Sequence, residues 1–335
     1  MENEKRIPVH IITGFLGSGK TTFLNEFIRS QKGRNRIVVI ENEVGKVNID
    51  GALVVEGVEE VMELTAGCLC CNLNEKLYEL LIDLENCRAK FDILLIETTG
   101  IADPSGVLET FWSHGFIESN FEVKNTICLA DAQYMRESIE QTDEARRQIA
   151  FADVVLLNKC DMVSPTEADG LQVLIEDINP SVKVHQGSEG RFPNEEILNL
   201  LAHDAKRVER QNQAISPNYE HRHKGINTFT LLFDTPFDFA ELRFRLMVLL
   251  EVNKQQIYRI KGIVDVAGMD ERIIIQSVYR SYRVEESRPW AEGEVRQSKI
   301  VFIGKGVEKA SMERIFNQCL DHKAGAERET TPSVF

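Results

Sequence analysis

Three observations predict an α/β protein whose larger part is a mostly parallel sheet covered by helices on both faces. The first is a series of short, almost wholly apolar runs at 7–12, 36–41, 92–96, 126–130 and 154–157. They are too continuous for strands with one wet face. The second is that helix-like segments separate them, as where Leu73, Leu77, Leu80, Leu81 and Leu84 recur. The third is that every polar motif of note sits at the carboxyl end of such a run, where open parallel sheets bind ligands.

A length of 335 residues exceeds what one core usually fills, so two domains are expected. The boundaries read as a nucleotide-binding domain over 1–203, a polar linker over 204–224, a smaller α+β domain over 225–322 and a polar tail over 323–335. The net charge of −14 speaks against general nucleic-acid binding. No apolar run reaches the length of a membrane span, and the polar start is unlike a secretory signal. A cytoplasmic protein is expected. Seven cysteines, unevenly clustered, do not resemble a disulfide framework.

Taken in order, the apolar run 7–12 leads into Gly14-Phe15-Leu16-Gly17-Ser18-Gly19-Lys20-Thr21 and a helix over 21–31. Strand, glycine-rich loop and helix make the context of a phosphate-binding loop. Gly14, Gly17, Ser18, Gly19 and Thr22 belong to that cradle, Lys20 reaches the β- and γ-phosphates, and Thr21 holds Mg²⁺. This makes the first domain a P-loop NTPase domain. The strand over 36–41 runs into a loop carrying Glu41 and Glu43, followed by short β-like runs near 53–55 and 58–64. After Cys68-Leu69-Cys70-Cys71 comes a helix from 72 to about 90.

The strand over 92–96 ends in Glu97-Thr98-Thr99-Gly100. Glu97 suits water-mediated Mg²⁺ binding, and Gly100 can swing its N–H toward a γ-phosphate. A helix from 104, a strand over 126–130, a helix over 144–151 and a strand over 154–157 follow. That strand ends in Asn158-Lys159-Cys160-Asp161. Asp161 can accept two hydrogen bonds from guanine, Asn158 can meet the other base edge, and the Lys159 stem can pack on the ring. GTP is therefore the expected nucleotide. A helix from about 166, a strand over 182–185 and a helix over 194–201 complete the domain. Beyond the linker, strands near 227–233, 256–264, 272–278 and 299–303, with helices over 239–252 and 307–319, describe an α+β unit. No glutamine or arginine finger is evident for positioning water, so slow turnover or activation by a partner is expected.

Cys68, Cys70 and Cys71 place three thiolates within four residues, a donor set for one soft cation such as Zn²⁺ or Cu⁺. Glu41 and Glu43 are candidate further ligands on topology alone. A redox pair of Cys68 and Cys71, or inert buried thiols, are the competing readings. His221, His223 and His114 are weaker metal candidates, and Cys87, Cys128, Cys160 and Cys319 read as core or edge thiols.

Together with Thr13–Thr22, Glu41-Asn42-Glu43 and Glu97–Gly100, these residues resemble the CobW-like family of metal-handling P-loop GTPases. The resemblance extends through Tyr258–Gly262, Arg288-Pro289-Trp290 and Val301–Gly304. It implies a metallochaperone or metalloprotein activator that hydrolyses GTP slowly to GDP and binds zinc, cobalt or a related ion. It assigns the metal to Cys68, Cys70 and Cys71 with Glu41 as neighbour, and a client metalloprotein as partner. Lys46 departs from a glutamate found in many members, and only His221 and His223 remain of a histidine-rich linker. Transfer of one ion then fits better than storage. The rival reading is a GTPase switch that docks a partner through its C-terminal domain, with structural or redox cysteines. A dimer is compatible with either.

Overall fold

The computed structural model describes residues 6–41, 60–63, 73–86, 91–98, 100, 104–199, 220–223 and 225–324. The chain divides into two compact units, Met1–Glu176 with Val182–Ala202 and Asp177–Ser181 with His203–Phe335.

The first unit runs β1 (Ile7–Gly14), α1 (Lys20–Gln31), β2 (Ile37–Glu41), β3 (Glu60–Glu63), α2 (Leu73–Asn86), β4 (Ile93–Glu97), α3 (Ser105–Ser113) and α4 (Gly115–Asn120). It continues with β5 (Phe121–Asp131), α5 (Met135–Gln141), α6 (Asp143–Phe151), β6 (Val154–Asn158), α7 (Pro165–Ile178), β7 (Lys183–Gln186) and α8 (Asn194–Asn199). Among the described residues the strands form one sheet in the order β3-β2-β4-β1-β5-β6-β7, every neighbouring pair parallel. The continuous apolar runs are explained by this, because β4 and β6 are buried on both faces. Phe23, Leu24, Phe27 and Ile28 of α1 pack on Ile12, Val39, Leu95, Ile127 and Leu129. Each such side chain contributes about 2 kcal/mol on burial.

Register fixes which ends meet. Ile12 lies opposite Glu97, Gly14 opposite Leu129, and Asp131 opposite Asn158. Glu41 lies opposite both Glu97 and Glu63. The strand ends bearing the motifs therefore line one edge of the sheet.

The second unit holds β8 (Glu220–His223), β9 (Ile226–Phe233), α9 (Phe239–Val252), β10 (Ile257–Val264), β11 (Glu271–Val278), β12 (Ser281–Pro289), β13 (Ser298–Lys305) and α10 (Lys309–Asn317). Its sheet order is β12-β11-β10-β13-β9-β8, antiparallel throughout. Phe229 stacks on Phe302 at 5.3 Å, and Phe316 meets Phe302 edge-on at 5.5 Å. Leu242 and Leu246 of α9 close this core.

Several expectations need correction. Residues 220–223, read as linker, form strand β8, with His221 opposite Thr228 and His223 opposite Ile226. Strand β12 and helices α4 and α5 were not expected, and β5 begins at Phe121 rather than near 126. The run at 53–55 lies outside the described residues. Among the described residues no helix is long and apolar enough to cross a membrane.

Candidate functional site

The loop between β1 and α1 curls because Gly14, Gly17 and Gly19 all take positive φ. At Gly19, with φ 96°, a Cβ would lie 2.3 Å from Asn158 Nδ2, so only glycine fits. Gly19 also begins α1 without a side-chain cap, and the first turn holds no acidic residue. The free N–H groups and positive end of the helix are left for an external anion. The Ser18 hydroxyl is buried without a protein partner, a second sign that a polar group completes this cradle.

Lys20 bends back over the loop, its Nζ donating to Gly14 O at 2.8 Å and Phe15 O at 3.1 Å. Burial pulls its pKa below the usual lysine value, and the nearby charge of Glu97 opposes that shift. Thr21 and Thr22 follow on the first turn of α1, with Thr21 half-buried and Thr22 exposed. Glu97, half-buried, ends β4 next to β1. Thr98 N bonds Ile12 O at 2.9 Å, which pins the segment after β4 against β1. Gly100 is buried, and a Cβ there would come within 2.6 Å of Leu16 N. Its carbonyl accepts from Gln148 Nε2 at 3.3 Å. The cradle, its lysine and the Glu97–Gly100 segment thus meet at one place, and Thr21 and Glu97 suit a Mg²⁺ ion carried in with a nucleotide.

After β6, Asn158 spends both ends of its amide on protein. Its Nδ2 donates to Ser18 O at 3.0 Å, and its Oδ1 accepts from Gly190 N at 3.2 Å. It ties the glycine loop to the loop after β7, and the second hydrogen of its Nδ2 is not used by these two bonds. Lys159 sits in the left-handed region, φ 61°, with its Nζ on Asp131 Oδ2 at 2.6 Å. Asp161 lies in a 3₁₀ turn, Cys160–Met162, and is exposed.

Sequence reasoning missed two contributors here. Asp131 ends β5 and also accepts from Gln133 N at 3.0 Å. The loop 187–190 is stitched to the motif by Cys160 N to Gly187 O at 3.1 Å and Gly187 N to Leu157 O at 2.9 Å. Its sequence signal is the pair Gly187 and Gly190 just past the strand expected over 182–185.

Cys68, Cys70, Cys71 and Glu43 lie outside the described residues, and Glu41 is placed only as the last residue of β2. Among the described residues no group of three His, Cys, Asp or Glu converges as a metal site. His114 follows α3, its Nδ1 3.1 Å from Thr110 O and its ring 4.5 Å from that of Tyr78. Cys128 and Cys319 are buried free thiols and Cys160 is a half-buried one. Burial pushes Cys128 up to about 12 and Cys319 up to about 11, so neither is a ready thiolate.

A glycine cradle on a parallel sheet, a lysine folded over it and an Asn-Lys-x-Asp turn on the same edge define a P-loop GTPase domain. The CobW/HypB/UreG nucleotide-binding domain matches residues 8–186, and the cobalamin synthesis protein CobW C-terminal domain matches residues 226–320. The chain belongs to this family. It is 32% identical over 305 residues to the zinc chaperone YjiA of Escherichia coli, covering 89% of this chain and 94% of that one. It is 30% identical to the zinc chaperone CobW of Pseudomonas aeruginosa over 93% of this chain and 91% of the relative. The crystal structure of Zn(II)-bound YjiA GTPase from Escherichia coli superposes with a TM-score of 0.69 at 26% identity, covering 95% and 100% of the two chains.

Proposed function

We propose that this chain binds GTP, hydrolyses it slowly, and under control of that nucleotide carries one zinc ion to a client metalloprotein. The observation that supports the coupling is strand order. β3, β2, β4 and β1 are successive neighbours, with Glu63, Glu41 and Glu97 in register at one edge. Cys68 follows Glu63 by five residues, a reach of at most about 18 Å. The chain therefore enters the cysteine-bearing segment from β3, two strands along the sheet from β4, which Glu97 ends.

In this reading Lys20 exchanges its carbonyl acceptors for β- and γ-phosphate oxygens, and Ser18 and the α1 N–H groups take the rest. Thr21 and Glu97 would hold Mg²⁺, which when bound would offset charge on the β- and γ-phosphates. Gly100 presents its N–H to the γ-phosphate, and Asp161 selects guanine over adenine. The cargo is taken by Cys68, Cys70 and Cys71 with Glu41 or Glu43. Thiolates favour Zn²⁺, and the same donors accept Co²⁺. The names of the two bacterial zinc chaperones support zinc as cargo.

The test is calorimetric titration of the metal-free chain with Zn²⁺ against a chelator, with a GTP analogue and Mg²⁺ or with GDP and Mg²⁺. One tight site is expected, at least roughly tenfold different in affinity between the two states, and absent after Cys68, Cys70 and Cys71 are changed to serine. Equal affinity, or no loss in that variant, overturns the coupling and favours a switch with structural or redox cysteines.

A further inference from the structure

Helix α9 is apolar on both sides. Leu242, Leu246, Leu249 and Leu250 face its own core. On the opposite side Phe244 is 56% exposed, Met247 48%, Val248 40% and Val252 75%. The other helix on this sheet, α10, behaves as a surface helix should, turning Glu313, Arg314 and Asn317 outward. Of the two helices on this sheet only α9 exposes large apolar side chains, and there they form a stripe, the pattern of a face that is covered in the working assembly.

We propose that this face is covered by α9 of a second copy of this chain, packed antiparallel about a two-fold axis near Met247. The charges on the helix carry the choice of occupant. Arg243 and Glu251, both exposed, lie one turn to either side of Met247 on the same ridge. A two-fold axis through the middle of that ridge sets each Arg243 against the other copy's Glu251, and Met247 on Met247. A parallel pair sets like charges together instead. Phe244, Val248 and Val252 form the adjoining row and fill the groove between the helices. Opposite charges equally spaced about the apolar centre make the face complementary to itself, which is what a two-fold pair requires.

Both charges are available for this. Glu251 meets Lys254 at 3.6 Å in an exposed pair, worth little in water. The Arg243 guanidinium lies 5.6 Å from the Phe239 ring, a contact that leaves its donors free.

Sedimentation equilibrium of the full chain, without nucleotide or metal, tests the proposal over rising concentration. A monomer–dimer equilibrium is expected, abolished by Met247→Asp and weakened at least roughly tenfold by either Arg243→Glu or Glu251→Arg. The decisive arm mixes the two charge variants. One carries only acids and the other only bases at these positions, so the mixture forms heterodimers at concentrations where each variant alone stays largely monomeric. That rescue also shows that both variants are folded. A chain that stays monomeric, a dimer that survives Met247→Asp, or charge variants that fail to pair on mixing each overturn it.

Discussion

At the scale of single residues, the base-side turn depends on an acid that no motif names. Lys159 holds left-handed backbone, which costs a non-glycine residue about 1 kcal/mol. Its ammonium is fixed on Asp131, whose side chain is 11% exposed. Asp131→Asn removes the charge but keeps an oxygen for Gln133 N. It is expected to weaken GTP and GDP roughly tenfold while leaving hydrolysis of bound GTP unchanged. Titration with a fluorescent guanine nucleotide, paired with single-turnover hydrolysis, checks this, and unchanged affinity shows that Lys159 is held by other means. His10 offers a different kind of test. Asn125 Nδ2 donates to Ile197 O at 2.9 Å, so its Oδ1 faces His10 Nδ1 at 2.7 Å and the imidazole donates from that nitrogen. Burial is the main cause that lowers its pKa from 6.5 to about 4. The unfolded chain therefore binds this proton first, and stability is lost as pH falls from about 6.5 toward 4, by up to about 3 kcal/mol. Urea unfolding between about pH 7 and about pH 4 should show a shallower loss in His10→Gln than in the parent.

At the scale of elements, α1 is a helix whose first turn is completed from outside. It has no side-chain cap and no acid in its first turn, so bound nucleotide is expected to add stability. GDP with Mg²⁺ at about a hundred times its dissociation constant contributes about 2.7 kcal/mol, visible as a raised Tm. Gly19→Ala drives a Cβ toward Asn158. It should remove most of that increment while the ligand-free Tm changes less, and a full ligand shift in this variant contradicts the cradle. Strands β4 and β6, buried on both faces, were the plainest to read, because apolar continuity leaves one interpretation. The elements that sequence reading missed are at edges and surfaces. β12 alternates Tyr282 and Val284 with charged residues, as an edge strand must, and its hairpin turns at Tyr279, φ 47°, instead of the usual glycine or asparagine. β8 is the opposite edge of the same sheet, and its histidines and arginine disguise it as linker.

At the scale of the whole molecule, what was legible is the order of chemistry along the chain. Gly14 to Thr22, Glu97 to Gly100 and Asn158 to Asp161 each follow a buried strand. What was hidden is which strands are neighbours. In sequence the cysteines stand between β3 and α2, whereas the sheet sets β2 between β3 and β4. That crossover brings Glu41 beside Glu97, and spacing in sequence carries no trace of it. The neighbourhood has a thermodynamic consequence that a merely shared scaffold lacks. If the Glu41–Glu97 edge passes free energy between the nucleotide and the zinc ligands, the coupling is reciprocal. The factor by which the GTP analogue changes zinc affinity must equal the factor by which zinc changes affinity for the analogue. Measuring guanine-nucleotide binding with and without saturating Zn²⁺ closes this cycle. Equal factors, both reduced toward one in Glu41→Gln, place the coupling on this edge. Factors that match but survive Glu41→Gln move it to Glu43 or to the backbone of the strands, while zinc that leaves nucleotide affinity untouched shows two sites that share a sheet without sharing energy.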